Sequence, residues 1–382
     1  MWINSAFDSG AIEVVDATDP GRVMLRLRAD PPTDTPAGVV RFAQWFHFQV
    51  VGARGVPLTL RIQELSRSAY PESWPGYQAV VTEDRQSWRR APTEIDGDEL
   101  VIRYTPGSDA VWFSYFAPYD QERHQALIAR AAACPGVRLR PVGRSLDGRL
   151  IDRLVIGEPG EGRRNVWVVA RQHPGETMAE WWVEGFLERL LHPDDALAAA
   201  LRGRAVIHVI PNINPDGAFR GYLRTNAAGA NLNREWAAAS AERSPEVLHT
   251  LAAMDESGVD LFLDVHGDEG LPYVFLAGAE GIPGWAPRLQ LLEAELGACW
   301  RRVNPDLQLE EGYPPSAPGE ADLSMGSNAV AHRYDCLGVT LEMPFKDNQN
   351  RPDPVHGWSP ERSRRLGASA VDVFLELLPK LR

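Results

Sequence analysis

Asn165-Val166-Trp167-Val168-Val169-Ala170 runs through Arg171 into Gln172-His173-Pro174-Gly175-Glu176. The first six residues are a short apolar run, rich in β-branched side chains, of the kind that forms a strand buried on both faces. Beyond Glu176 the period changes. Met178, Trp181, Trp182, Phe186, Leu187, Leu190 and Leu191 recur at steps of three and four, which predicts a helix over 176–191. His173 and Glu176 therefore fall on a loop at the carboxyl end of a strand and at a helix start, the edge where open α/β sheets bind ligands. Imidazole and carboxylate are ligand types for zinc, which in catalytic sites takes three protein ligands and leaves one position open. On its own the pair is more often a strand-end turn whose glutamate is favoured by the helix dipole, so the rest of the chain decides.

The chain has 382 residues, enough for two hydrophobic cores. A hydrophobic content of 44% and a charged content of 24% describe a folded globular protein. No stretch of about 18 apolar residues occurs, and the start has no basic region followed by an apolar run. A cytoplasmic location and no membrane partner are expected. The formal net charge of −13 argues against a nucleic-acid partner, which needs basic patches to meet phosphate. Cys134, Cys299 and Cys336 are odd in number and widely spaced; they read as small buried apolar residues, not as a disulfide framework or thiolate zinc site.

Residues 1–118 carry alternating segments at 11–15, 23–27, 45–50, 58–62, 100–104 and 110–116, separated by Gly, Pro, Asp and Ser, which predicts an all-β sandwich domain. The aromatic loop Tyr70-Pro71-Glu72-Ser73-Trp74-Pro75-Gly76-Tyr77 reads as a packed corner. From 119 to 382 the pattern is strand–helix alternation, with strands at 166–170, 205–210, 261–265 and 339–341 and helices at 121–133, 176–191, 287–300 and 360–378. That predicts an α/β domain with a mixed, mostly parallel central sheet flanked by helices.

Three further segments end on the same predicted rim. Asp264-Val265-His266-Gly267 delivers a histidine after a strand, a candidate third metal ligand. Gly338-Val339-Thr340-Leu341-Glu342 ends an apolar strand in a carboxylate, and burying that charge demands a partner, solvent or a function. A carboxylate of raised pKa beside a metal site suits a general base. Ahead of both, Pro211 to Trp236 holds Arg220, Arg224 and Arg234 in turn-rich sequence. Arginine's planar fork binds carboxylates bidentately, although Arg220 reads as a surface residue.

His173-Pro174-Gly175-Glu176, Asn214-Pro215-Asp216-Gly217, Arg224-Thr225-Asn226, Asn231-Leu232-Asn233-Arg234-Glu235-Trp236, His266-Gly267-Asp268-Glu269 and Thr340-Leu341-Glu342 occur in the order found in zinc metallocarboxypeptidases of the carboxypeptidase A type. The chain resembles the cytosolic carboxypeptidase subfamily more closely, since Phe7-Asp8-Ser9-Gly10, the 70–77 loop and Tyr115-Phe116-Ala117-Pro118-Tyr119 look like its N-terminal stretch. The resemblance implies a carboxypeptidase A-like fold and one zinc ion per chain, held by His173, Glu176 and His266. It implies Glu342 as general base, Arg224 as the oxyanion's partner, and Asn233 with Arg234 as the grip on the C-terminal carboxylate of a peptide or protein substrate. An acidic C-terminal residue is the expected preference. Two positions depart from the family pattern. Asn231 stands where many members have an aspartate that orients a zinc-bound histidine, and Ser327 or Asn328 stands where glutamate-trimming members carry a basic residue. The competing functions are hydrolysis of N-acyl amino acids on the same ligands, which the Asn233-Arg234 pair and the sandwich disfavour, and a binding module with a vestigial metal site.

Overall fold

The computed structural model describes residues 1–35 and 38–381. Its first part forms two five-stranded sheets. One runs in the order Trp2–Asn4, His47–Val51, Ala110–Ser114, Val80–Thr82, Arg89–Arg90; the other Thr93–Asp96, Glu99–Tyr104, Leu58–Gln63, Val23–Arg26, Glu13–Asp16. The alternation dictates this. In Leu58–Gln63 the buried Leu58, Leu60 and Ile62 alternate with half-buried residues, the period of a strand with one face in a core. Phe48 and Phe113 from one sheet and Leu60 and Ile102 from the other join a single apolar cluster, as a sandwich requires.

From Val137 onward a seven-stranded sheet takes the order Val137–Leu139, Leu154–Ile156, Ala205–Ile210, Arg164–Ala170, Leu261–Val265, Leu337–Glu342, Phe275–Ala277. The four strands from Ala205–Ile210 to Leu337–Glu342 are parallel, and the flanking pairings are antiparallel. Arg164–Ala170 lies between its successor in sequence and Leu261–Val265, so the strand order reverses there and a crevice opens beyond the carboxyl ends. Register sets the height of the residues at that rim. Ala170 lies opposite Val265, and Val265 opposite Leu341, so His266 and Glu342 emerge side by side.

Helix Met178–Leu190 packs on helix Pro360–Leu377 at backbone distance. A Cβ on Gly367 would sit 1.9 Å from the Trp182 carbonyl oxygen, and one on Gly185 2.0 Å from that of Arg364. The close crossing seats Trp182 and Phe186 in the core beneath the sheet. Four helices among the described residues were not anticipated: Ala196–Arg204, Pro215–Arg220, Pro245–Ser257 and Gly326–Tyr334. No helix among the described residues is long and apolar enough to cross a membrane.

Candidate active site

His173, Glu176 and His266 are all buried, and one ligand atom from each lies within 4.8 Å of the others. Nδ1 of His173 is 2.6 Å from Oε1 of Glu176, Nδ1 of His266 is 2.8 Å from Oε2 of Glu176, and the two Nδ1 atoms are 3.2 Å apart. The outer nitrogens face acceptors: Nε2 of His173 meets Oδ1 of Asn231 at 3.0 Å, and Nε2 of His266 meets Oδ1 of Asp264 at 3.0 Å. His173 so oriented donates outward to Asn231, the His266 contact is an ion-pair distance, and the two Nδ1 atoms turn toward a common centre with Glu176. Two nitrogens bound tetrahedrally at zinc distances would stand roughly 3.3 Å apart, so the donor set fits the metal that the resemblance implies.

The electrostatics agree. Burial and the Arg224 charge push His173 down to about 3, the neutral ligand form. Burial raises Glu176, but the two imidazoles outweigh it and hold the carboxyl well below the ordinary range. For His266 burial works downward, while Asp264 and Glu176 raise it; as a metal ligand it would serve as the neutral imidazole.

His173 and Glu176 open onto a cavity of about 490 Å³ that Arg224, Asn233, Arg234 and Glu342 also line. Six of the seven anticipated residues therefore share one cavity, and His266 lies directly behind His173. Oε2 of Glu342 is buried with no hydrogen-bond partner among the described residues. Burial raises its carboxyl well above the ordinary range; His266 opposes this, and Glu176, Asp268 and Glu269 add to it. Asn233 Oδ1 accepts the Gly326 N–H at 2.8 Å, leaving its Nδ2 to donate. Arg234 is lowered by burial and by the charge of Arg224, and its Nε lies 3.6 Å from the Asp322 carboxylate. Arg220 is instead ion-paired to Asp147 at 2.7 Å on the surface.

Several lining residues were not legible in the sequence. Tyr313 donates to Asp268 and reaches Oε1 of Glu342 at 3.5 Å. Tyr70 is the first residue of the loop expected to be a packed corner. Trp74 and Tyr77 do pack there, but Tyr70 lines the cavity. Glu280 and Glu293 line it too. Burial, with the neighbouring Glu280 carboxyl adding to it, pushes Glu293 up to about 9. Ser327 and Asn328 also reach the cavity, while its arginines and lysines among the described residues are Arg224 and Arg234 alone. The expected acidic C-terminal preference finds no support there: the cavity offers an acidic side chain no third cation, and it presents a pair of carboxylates.

Three side chains able to hold a metal at the rim of a parallel sheet, with a carboxylate and two arginines lining one cleft, are the arrangement of a metallopeptidase-type hydrolase. Residues 3–116 match the cytosolic carboxypeptidase N-terminal domain, and residues 124–270 match the zinc carboxypeptidase family. An uncharacterised protein of Zymomonas mobilis is 50% identical over 100% of this chain and 97% of its own length. The structure of a metallocarboxypeptidase from Pseudomonas aeruginosa, in complex with (2-guanidinoethylmercapto)succinic acid, superposes with a TM-score of 0.96 at 45% identity, covering 100% of both chains. Cytosolic carboxypeptidase 2 of Xenopus tropicalis is 30% identical over 98% of this chain, which spans 41% of that protein's length. The chain belongs to the zinc carboxypeptidase family and carries the N-terminal domain of its cytosolic members. It is a metallocarboxypeptidase, and the family implies a metal cofactor, typically zinc.

Proposed function

We propose that the chain removes the C-terminal residue of peptides or proteins in the cytoplasm, with a preference for a basic side chain. In this reading 1–118 is the sandwich domain and 119–382 the catalytic domain. His173, Glu176 and His266 would hold one zinc ion, which when bound supplies Lewis-acid activation of water and of the scissile carbonyl. Glu342 takes the proton of the attacking water and returns it to the leaving amine, a task suited to a carboxyl of raised pKa. Arg224 faces the charge that develops on the carbonyl oxygen. Asn233 and Arg234 bind the free carboxylate, which a mid-chain peptide bond does not offer, and so restrict cleavage to the end of the chain.

The observation that carries this is the one cavity lined by His173, Glu176, Glu342 and both arginines, with His266 Nδ1 2.8 Å from the Glu176 carboxylate. The basic preference rests on its far wall. Thr340 lies two residues before Glu342 on the same strand and opposite Ala277. Gly278 follows, and a Cβ there would lie 2.1 Å from the Glu293 carboxylate. Gly278 lies three residues past Phe275, which pairs with Glu342, so three strand steps of about 3.3 Å separate the base from the level of Glu293, within the reach of a lysine or arginine side chain. The compound in the Pseudomonas complex combines a guanidinium with two carboxylates, and this cavity has groups for each.

Mass spectrometry of a mixed peptide library, incubated with zinc-loaded protein and with Glu342→Gln as control, tests the reading. The expected result is loss of single C-terminal Lys and Arg residues, absent in the variant. Absence of any C-terminal trimming by the wild type overturns the proposal; faster removal of Glu or Asp overturns the basic preference.

A further inference from the structure

Arg224 stands on a segment that other parts of the chain hold in place. Its guanidinium has no hydrogen-bond or ion-pair partner among the described residues; it rests 5.6 Å from the ring centre of Phe42 and 5.8 Å from that of Tyr70. Both rings come from the N-terminal domain. Its backbone is held from the same side. The carboxylate of Asp30 accepts the N–H of Leu223 at 2.8 Å, of Arg224 at 2.8 Å and of Thr225 at 3.0 Å, with the Thr225 hydroxyl at 3.2 Å. Asp30 is 1% exposed, and no cation among the described residues lies within ion-pair distance of it. An anion buried on amide donors alone is costly unless all its lone pairs are met. Three successive N–H groups converging on it make a nest that fixes the local backbone, and hydrogen bonds to an ionised acceptor are the strong ones.

The held segment also reaches the metal turn. The Leu223 carbonyl accepts the N–H of Gly175 at 2.9 Å, and Gly175 lies between His173 and Glu176. A Cβ on Gly175 would meet that carbonyl oxygen at 3.0 Å, so the two segments cannot drift apart or together freely. A second clasp lies nearby, where the Thr33 hydroxyl donates to the Gly229 carbonyl at 2.8 Å.

We propose that Asp30, with Phe42, is a positioning residue for Arg224, making the N-terminal domain a working part of the hydrolytic site; this rests on the reading of Arg224 as the oxyanion's partner. Asp30 fixes where the Arg224 backbone lies, and the rings hold its guanidinium over the cavity without neutralising it. An ion pair would hold the side chain as firmly but would spend the charge that the transition state needs.

The test compares Asp30→Asn, Phe42→Leu, Arg224→Ala and the pair Asp30→Asn/Arg224→Ala, all in the full chain with zinc content measured. Each is assayed for kcat and KM on a C-terminal peptide, for binding of a peptide phosphonate that mimics the tetrahedral anion, and for deuterium uptake at residues 223–225. Asp30→Asn is expected to lower kcat between about 10- and 100-fold, the scale of a misplaced group, with KM and zinc content little changed. Phosphonate binding should weaken in proportion, while binding of the product amino acid is retained. Uptake at 223–225 should rise, and the loss should vanish on the Arg224→Ala background. Phe42→Leu should give a smaller change of the same pattern, and it decides the matter if Asp30→Asn does not fold. Unchanged kcat and phosphonate binding in the foldable variant, or a loss that adds in full to that of Arg224→Ala, overturns the proposal. Wild-type turnover in Arg224→Ala overturns the role of Arg224 and the proposal with it. If the wild type cleaves no peptide, the functional reading fails separately, and phosphonate binding with uptake at 223–225 still decides whether Asp30 acts on Arg224.

Discussion

Asn231 sets its Oδ1 3.0 Å from Nε2 of His173, and the same oxygen accepts the backbone N–H of Asn233 at 3.1 Å. One amide thus fixes the tautomer of a metal-ligand candidate and anchors the segment that carries Asn233. A carboxylate at that place would raise ligand basicity further. Chelator competition is expected to show tighter zinc binding in Asn231→Asp and weaker binding in Asn231→Ala, by about 10- to 100-fold, the range for such partners. Equal affinities in all three proteins would remove Asn231 from any role at the metal.

Glu342→Gln keeps the shape of the carboxyl and removes its basicity. Turnover is expected to fall by about 10²–10⁴-fold, the contribution of a positioned base, with zinc content and thermal midpoint close to wild type. A variant that has lost its metal as well as its activity would show that Glu342 works through the metal ligands instead.

The acid pair on the far wall should set selectivity. In Glu280→Gln/Glu293→Gln, kcat/KM for a C-terminal arginine is expected to fall by about 10- to 100-fold, equivalent to one or two hydrogen bonds to a charged group. The rate for a C-terminal leucine should stay within a few-fold. Parallel losses on both substrates would point to a distorted cavity and away from recognition.

His124 gives the fold a pH dependence of its own. Its Nδ1 lies 2.5 Å from Glu180 and its Nε2 3.2 Å from Asp152, all three side chains being buried. Burial lowers the imidazole, but the two carboxylates outweigh it and raise it from 6.5 to about 9. A pKa raised on folding stabilises fully below the unfolded value and fades as pH rises through the folded one. The urea midpoint is therefore expected to decline between about pH 6.5 and 9, and His124→Gln should remove most of that decline. A midpoint equally steep in the variant would assign the decline to other groups.

The central sheet could be read because its strands are apolar runs ending in polar residues, and the helices at 176–191 and 360–378 because their apolar stripes are long. The observed bounds, Met178–Leu190 and Pro360–Leu377, differ only by terminal residues. His173, Glu176, Asn233, Arg234 and Glu342 were visible for a related reason: each sits within a few residues of the strand or turn that aims it. Asp30, Tyr70 and Glu293 were not, since no local pattern marks them. Asp30 stands in Ala29-Asp30-Pro31-Pro32, which reads as an ordinary surface turn, and its partners lie more than 190 residues away. Glu293 lies on a helix whose period suggests a solvent-facing carboxylate; only the bare backbone of Gly278 lets it approach the cavity. Ala196–Arg204 and Gly326–Tyr334 escaped because short helices in alanine- and glycine-containing sequence have little periodicity to read.

The clasp of Asp30 on Leu223, Arg224 and Thr225 also orders events during synthesis. Domains emerging first from the ribosome fold first, so the acceptor of this clasp is made long before its donors. A growing chain would gather its metal ligands one by one, with His266 following Arg224 and Glu342 coming last. The arginine segment is met on emergence by a surface already shaped to receive it. A fragment beginning at 119 would keep the proposed metal triad and base yet lack the receptor for that segment, so on the proposed roles it is expected to turn over substrate more slowly than the joined chain.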